Sequence, residues 1–374
     1  MRLVRVYELN SLRQHPASRT TLGSLDVVGL FHAVPPVPAT RPRQAMTLQN
    51  QRLNFHHLMA SMLVPLIGLD LLLARVVYLN GFSQLWAKPF AIGILVAGFL
   101  YSRWRGFGRL QELAAMSIWA LLLTNFLSIL IQIAGRTRAP LVDFGLAHID
   151  AMMHVQASVV VQWVHQFPTI RVGLLVCYLL LPLMILAAIL VPTLQGRHKH
   201  AQCYLLAVII SAAMTAAMFA SWPAIGPWTV YGFKATHDQS AAQAYLLLLK
   251  SGHPVTMNFA AAGVVSFPSY HAVLALLSAA ALWHIRKLRW FNALLALVIC
   301  VSTVTTGWHY VIDVVGGVAV AAAAQIFAIR LLAYVSTAPS MKPERIAVPR
   351  PAAAAPVSGA KFTEVRLSLT SYRR

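Results

Sequence analysis

The sequence predicts an all-α fold, a polytopic membrane helical bundle of about eight transmembrane helices. Hydrophobic residues make up 58% of the 374 residues and charged residues only 11%, and the mean hydropathy is +0.66. Apolar runs near twenty residues recur along the chain, which is the length that crosses a bilayer as a helix. Lys and Arg collect in short connectors and in both terminal segments. This composition excludes an ordinary soluble domain.

Basic connectors between the apolar runs predict the orientation of the chain. Basic clusters follow the second, fourth and sixth runs, for example Arg103 and Arg105, and later Arg286 and Lys287. Because positive charge marks the cytoplasmic side, we expect a multi-pass protein of the cell membrane with both termini in the cytoplasm. The predicted spans are 58–79, 86–102, 113–134, 172–191, 201–221, 269–285, 291–306 and 310–334.

The domain organisation follows from the same pattern. Residues 1–45 form a basic segment that we expect to be disordered, and residues 46–335 form the transmembrane bundle. Residues 336–374 are basic and rich in Pro and Ala, which is typical of a disordered tail. The net charge of +20 lies in these tails and in short connectors, so we predict membrane orientation and no nucleic-acid partner. Protein partners are not predicted.

Two longer connectors lie on the predicted non-cytoplasmic face. Residues 136–171 have an irregular pattern that suggests helices lying along the surface, and residues 241–249 suggest a short interfacial helix. The sixth and eighth spans both begin on this face, and each begins with polar residues. Ionisable residues at membrane depth are costly and are usually functional. The active site is therefore predicted there, with its motifs within residues 223–317.

One of these polar strings contains His309 and Asp313, four residues apart. On a helix such residues share a face and can form a hydrogen bond. A carboxylate partner fixes the imidazole tautomer and leaves the other nitrogen free to attack an electrophile or accept a proton. Taken alone, such a pair is more often a structural bond between two helices.

The other polar string contains Pro268, Ser269 and His271. Proline suits the first turn of a helix, and the free amide groups of that turn, with the Ser269 hydroxyl, form a plausible anion site. His271 lies in the same turn and could act on the same anion as an acid. An ordinary helix start with an interfacial histidine would have the same pattern. The meeting of both strings at one membrane face favours a catalytic site.

These two strings resemble the motifs of the type 2 phosphatidic acid phosphatase superfamily. Its second motif, Pro-Ser-Gly-His, is matched by residues 268–271 with Tyr270 in place of glycine. Its third motif runs Ser-Arg, then five residues and a histidine, then three residues and an aspartate. Ser302, His309 and Asp313 match this spacing, and Thr303 stands where the arginine would be. Tyr310 and the Gly316-Gly317 pair look most like the branch with inositol phosphorylceramide synthases and related bacterial proteins.

The resemblance implies a six-helix phosphatase-like core with extra N-terminal helices, and a metal-independent phosphoryl transfer through a phosphohistidine. His309 would attack phosphorus, Asp313 would orient it, and His271 would protonate the leaving oxygen. Ser269, with Ser302 and Thr303, would bind the phosphate. No cofactor is implied, and the histidines show no metal-ligand spacing.

The cations that hold phosphate in this family have no clear counterpart here. The family's first motif, a lysine followed after six residues by Arg-Pro, is absent, and Arg138-Ala139-Pro140 is the nearest fragment. We predict Arg138 as the substitute, and Arg136, Lys234 and Lys250 are alternatives on the same face. Each of these could instead bind lipid headgroups.

The sequence therefore predicts an integral-membrane lipid phosphatase or phosphotransferase. It would cleave a phosphate ester or phosphodiester of a lipid, or transfer a phosphoryl headgroup to an alcohol as an inositolphosphotransferase does. The alternative is a non-catalytic transporter or lipid-binding protein in which His271, His309 and Asp313 form a polar relay.

Overall fold

The computed structural model describes residues 42–76, 79–80, 89–155, 157–257 and 264–337. The predicted N-terminal and C-terminal tails lie almost wholly outside these residues. The chain divides into two units at Thr47 and Leu48, and every helix from α2 onward lies in the second unit. The helices are α1 (Pro42–Val76), α2 (Pro89–Arg105), α3 (Gly108–Gly135), α4 (Asp143–Met152), α5 (Ala157–His165), α6 (Pro168–Leu179), α7 (Leu181–Leu194), α8 (His198–Ser221), α9 (Trp228–Tyr231), α10 (His237–Lys250), α11 (Tyr270–Leu282), α12 (Arg289–Thr305) and α13 (Val311–Thr337).

The only sheet within the described residues is a parallel pair of two-residue strands, β1 (Leu79–Asn80) and β2 (Val255–Thr256). The predicted all-α class is therefore confirmed. Helices are also present in both long connectors, as α4 and α5 in the first and α10 in the second.

Five helices in the described part of the chain are long and apolar enough to cross a membrane. They are Phe55–Arg75 of α1, α3, α6 joined with α7, α8, and Val311–Val335 of α13. A sixth span exists if α4 and α5, which bend by 82° at their junction, count as one. The chain is thus a polytopic helical membrane protein.

The predicted number of about eight spans exceeds this count. All eight apolar runs contain helix, but α11 has 13 residues and α2 and α12 have 17 each. At 1.5 Å per residue these helices measure roughly 20–26 Å, which is less than the hydrocarbon thickness of about 30 Å. The helix of the sixth run is short because it begins at Tyr270, after the cap residue Ser269, and ends at Leu282, three residues before the predicted end of the run.

The short helix α11 lies at the centre of the bundle. It packs against α7, α8, α12 and α13, and its residues Val273, Ala275 and Leu277 are fully or almost fully buried. Because both α11 and α13 begin at the same end of the bundle, the two polar strings that precede them are brought together there.

Candidate active site

Two carboxylates hold the first turn of α13. Asp313, the third residue of this helix, accepts a hydrogen bond at Oδ2 from the Tyr310 backbone N–H, at 2.9 Å. Asp150 on α4 accepts from the backbone N–H groups of Val311 and Ile312, both at 2.8 Å. The first amides of a helix lack partners within the helix, and its positive end stabilises negative charge. The pair of acids therefore fixes where α13 begins.

His309 lies two residues before α13 and is 3% exposed. Its Nδ1 is 2.9 Å from the Ser266 carbonyl oxygen and 3.3 Å from Asp313 Oδ2. The predicted His309–Asp313 contact therefore exists, but it does not arise from two residues on one helix. It arises because Asp313 reaches back over the helix start, as the acid of a capping box does. The Ser266 hydroxyl also donates to Asp313 Oδ2, at 2.9 Å.

These contacts determine the tautomer of His309. A backbone carbonyl can only accept a hydrogen bond, so Nδ1 carries the proton and Nε2 is left with its lone pair. Burial lowers the pKa of His309 to about 4, although the bond to the Ser266 carbonyl acts in the opposite direction. His309 is therefore a neutral imidazole near pH 7, with Nε2 in the form that attacks an electrophile.

The start of α11 is tied to the start of α13. The Ser269 backbone N–H donates to the Asp313 carbonyl oxygen at 2.9 Å, and the Ser269 side chain caps α11 by accepting from Ala272 N at 3.5 Å. Pro268 precedes this cap rather than occupying the first turn. A Cβ atom added to Gly317 would lie 2.7 Å from the Ser269 carbonyl oxygen, so glycine permits this close approach.

His271 lies in the first turn of α11, close to His309. The centroids of the two imidazole rings are 6.2 Å apart. The Tyr178 hydroxyl on α6 is 2.9 Å from His271 Nε2, and the two rings stack with centroids 4.7 Å apart. Tyr178 therefore holds His271 both by a hydrogen bond and by stacking.

A third buried acid, Asp143 at the start of α4, supports the site from outside. Its Oδ1 accepts from the Gly226 backbone N–H at 2.8 Å and from the Tyr310 hydroxyl at 3.2 Å, and both of its oxygens lie 3.0 Å from Ile225 N. Burial and the nearby acids raise the pKa of the Tyr310 phenol, so that phenol stays neutral and donates its proton. Asp143 thereby connects the loop at Gly226 to the residue after His309.

The hydroxyl groups of Ser302 and Thr303 are turned into their own helix. Ser302 Oγ lies 2.6 Å from the Val298 carbonyl oxygen, and Thr303 Oγ1 lies 2.8 Å from the Cys300 carbonyl oxygen. Both side chains are fully buried. Their hydroxyl protons are therefore engaged by α12 in this structure, and a phosphate-binding role for them stays a prediction.

None of the four candidate cations contacts the histidine pair within the described residues. Arg138 and Lys234 are exposed, and Arg136 donates to the His253 carbonyl oxygen at 3.0 Å. Lys250 Nζ donates to the carbonyl oxygens of Thr137 and Ala139, at 2.9 and 2.7 Å, which stabilises that loop. Arg138 lies between Thr137 and Ala139, and its guanidinium takes no part in these bonds.

The structure also identifies supporting residues that the sequence motifs do not mark. Ser266 and Tyr178 contact the two histidines directly, and Asp143 and Asp150 hold the backbone around them. The two acids carry a signal, because they are buried charges in a chain that has only ten acidic residues. Tyr178 carries none, since a tyrosine within an apolar run is common. No group of three or more His, Cys, Asp or Glu in the described part of the chain is arranged to hold a metal ion.

The fold and the site together define a polytopic α-helical membrane protein with two histidines and a buried aspartate at one end of its bundle. Residues 145–327 match the family model described as the PAP2 superfamily. This match contains both polar strings and begins well upstream of the motifs, so that it also includes Asp150 and Tyr178. Searches of curated proteins and of solved structures each found no match.

Proposed function

We propose that this chain is an integral-membrane phosphatase or phosphotransferase of the PAP2 superfamily that acts on a lipid phosphate ester or phosphodiester. The observation that carries the proposal is the fixed tautomer of His309, whose Nδ1 faces the Ser266 carbonyl and Asp313. That geometry leaves Nε2 as a nucleophile, and the match to the superfamily over residues 145–327 supports the same chemistry. The amphiphilic substrate would keep its tail in the bilayer.

In the first half-reaction, His309 Nε2 attacks phosphorus and forms a P–N bond while the P–O bond to the leaving group breaks. The leaving oxygen takes a proton from the imidazolium form of His271, which the negative phosphate beside it favours and which Tyr178 holds; His271 thereby becomes a neutral imidazole. The imidazole of His309 becomes positively charged as the phosphohistidine forms. Asp313 stabilises that charge at Nδ1.

In the second half-reaction, His271 accepts a proton from the acceptor, whose oxygen attacks the phosphohistidine and breaks the P–N bond. Water as acceptor releases phosphate or a phosphomonoester, and an alcohol acceptor gives a transferase. Both reactions share the first half-reaction, so His309, His271 and Asp313 are needed for either. The proposed mechanism requires no metal ion.

Phosphate binding in this site would rest mainly on backbone groups. The first turn of α11 supplies backbone N–H groups at its positive end, next to Ser269. Arg138 remains the proposed cation. A phosphoryl group in transfer spreads its charge over its oxygens, so donors and cations around it contribute much of the rate.

The test is phosphate release or headgroup transfer by the purified protein in detergent with EDTA present. The assay uses a lipid phosphate monoester, a phosphodiester lipid, and each with and without an added alcohol. Radiolabelled substrate should trap a labelled, acid-labile phosphoprotein in the wild-type chain. We expect His309→Ala to abolish both labelling and turnover and His271→Ala to slow turnover strongly.

His237→Ala is the matched control, because His237 is 96% exposed on α10. Full activity in both site variants would overturn the assignment of the site. Activity that is lost in EDTA and restored by a divalent metal would overturn the metal-independent mechanism. No turnover of any phospholipid by folded wild-type protein would favour the transporter or lipid-binding alternative.

A further inference from the structure

A second site lies at the end of the bundle opposite His309. A cavity of about 630 Å³ opens between α8, α11 and the segment after it, and α13. Along α11, the distance from its start beside the proposed active site to Leu282 near the cavity is roughly 18 Å, at 1.5 Å per residue. Along α13, the distance from Asp313 to Ile329 is roughly 24 Å. The cavity is therefore separate from the proposed active site. The lining residues that matter for its chemistry are Lys199, His200, Trp283, His284, Ile329 and Leu332.

One side of this cavity is basic. Lys199 and His200 lie in the first turn of α8, and the His200 ring stacks on His284 with centroids 4.5 Å apart and an interplanar angle of 23°. Gln195 Oε1 lies 3.0 Å from His284 Nε2 and orients that ring. No Asp or Glu occurs among the lining residues described.

The start of α8 adds to this positive character. Arg197, the residue before the helix, makes no side-chain cap, and the His200 backbone N–H donates to the Arg197 carbonyl oxygen at 3.0 Å. The positive end of a helix attracts an anion. Lys199 and His200, in this first turn, line the same cavity as His284.

The other side of the cavity is apolar and exposed. Ile329 and Trp283 are 53% and 45% exposed, and Leu332 and Ala333 continue the same surface. Tryptophan is favoured where the bilayer meets water. Basic pockets between transmembrane helices bind the headgroups of anionic lipids, and the volume lies in the range of about 300–1,000 Å³ that ligand pockets occupy.

We propose that this cavity binds an anionic phospholipid that is not the substrate. Its phosphate contacts Lys199, His200 and His284, and one acyl chain lies along Trp283, Ile329 and Leu332. The bound lipid joins the ends of α8, α11 and α13, which all begin or end near the cavity. It thereby stabilises the bundle from the face opposite the proposed reaction.

The experiment uses the full chain, purified in detergent and depleted of lipid. It is titrated with an anionic phospholipid that carries brominated acyl chains, and separately with a zwitterionic phospholipid that has the same chains. Bromine quenches the fluorescence of nearby tryptophan. The signal of this site is therefore the fluorescence quenching that occurs in the wild-type chain and is missing in Trp283→Phe. We expect saturable, Trp283-dependent quenching and a raised melting temperature with the anionic lipid only.

Three comparisons decide the outcome. We expect Lys199→Gln to weaken anionic-lipid binding by about fivefold or more, which is the effect of losing about one surface charge near an anionic lipid. The double variant His200→Phe/His284→Phe keeps stacked rings but removes their N–H donors, and we expect it to weaken binding by about fivefold, from the roughly 1 kcal/mol of one hydrogen bond. Lys287→Gln is the matched control, an exposed charge after α11 that does not line the cavity, and it should leave binding unchanged. Equal quenching by both lipids, or equal loss in the control, would overturn the proposal. Stabilisation by inorganic phosphate alone at the same concentrations would show a site for the free anion and would overturn the lipid assignment.

Discussion

Replacement of Asp313 by asparagine separates the chemistry of the proposed site from its folding. Asp313 Oδ2 accepts three hydrogen bonds, from Ser266 Oγ, Tyr310 N and His309 Nδ1. The asparagine carbonyl oxygen can take the place of Oδ2 and keep these bonds. What Asp313→Asn removes is the negative charge beside the imidazole that becomes positive during phosphoryl transfer.

The magnitude follows from the distance between the two groups. For unit charges 3.3 Å apart, the attraction is about 5 kcal/mol at an effective dielectric constant of about 20. If about half of the charge has developed in the transition state, the loss is about 2.5 kcal/mol, or roughly a hundredfold in kcat/KM. We therefore expect Asp313→Asn to lose roughly 10²-fold in kcat/KM while it stays folded.

The thermal stability of Asp313→Asn should not fall together with its activity. A fully buried carboxylate is costly to desolvate, and Asp313 is 0% exposed with no partner for Oδ1 among the described residues. The melting temperature of Asp313→Asn should therefore be unchanged or higher. Asp313→Ala leaves two donors, the Ser266 hydroxyl and the Tyr310 backbone N–H, without this acceptor, at about 1–3 kcal/mol each, so it should melt at a lower temperature and lose activity as well.

The assay is kcat/KM for a lipid phosphate in detergent micelles, with the melting temperature measured on the same preparations. Asp70→Asn is the matched control, because Asp70 is also fully buried but lies on α1, which contributes no residue to the site. The reasoning is refuted if Asp313→Asn keeps wild-type kcat/KM. It is equally refuted if the loss of activity only follows a fall in melting temperature.

Three further predictions concern the positioning of the two histidines. Tyr178→Phe removes the hydrogen bond to His271 but keeps the stacked ring. We expect kcat to fall about five- to tenfold, because one hydrogen bond contributes roughly 1 kcal/mol. The alkaline limb of the pH profile should shift, and the melting temperature should stay unchanged. Gly317→Ala places a Cβ atom 2.7 Å from the Ser269 carbonyl oxygen and should destabilise the chain by about 1–3 kcal/mol. Gly98→Ala is the control: a Cβ atom added there has no neighbouring atom within 4 Å, so this variant should not have a lower melting temperature. Because burial lowers the pKa of His309 to about 4, the neutral nucleophile persists down to that pH. The decrease of kcat/KM on the acid side of the pH profile should therefore have its midpoint near pH 4. A midpoint at or above about 6.5, the ordinary pKa of histidine, would contradict this prediction.

The sequence predicted the central contacts of the site because they are local. His309 and Asp313 are four residues apart across the start of α13, and Ser269 and His271 are two residues apart at the start of α11, so the members of each pair lie close together at one helix start. The meeting of the two pairs followed from the number and direction of the apolar runs. The helix boundaries were less accurate, since His309 precedes α13 and Pro268 precedes the cap of α11.

The residues that support the site were not predictable in the same way. Tyr178 is 93 residues from His271, and Asp150 is 161 residues from Val311. Such contacts depend on how the helices pack, and a tyrosine in an apolar run has no local pattern that marks it. Asp143 and Asp150 were visible as acids in an irregular connector, but their partners are backbone amides, which every residue except proline supplies.

The charges around the proposed site bear on which phosphate it accepts. Asp143, Asp150 and Asp313 are buried at this end of the bundle, and each is compensated by backbone or hydroxyl donors rather than by a cation. Arginine and lysine make no contact with the histidine pair within the described residues. A phosphomonoester dianion would therefore meet three acids and few positive groups, whereas a phosphodiester brings a single negative charge. Coulomb repulsion in a partly desolvated site grows with the charge of the substrate, so we expect the phosphodiester to be turned over faster than the phosphomonoester in the comparison of the two lipids.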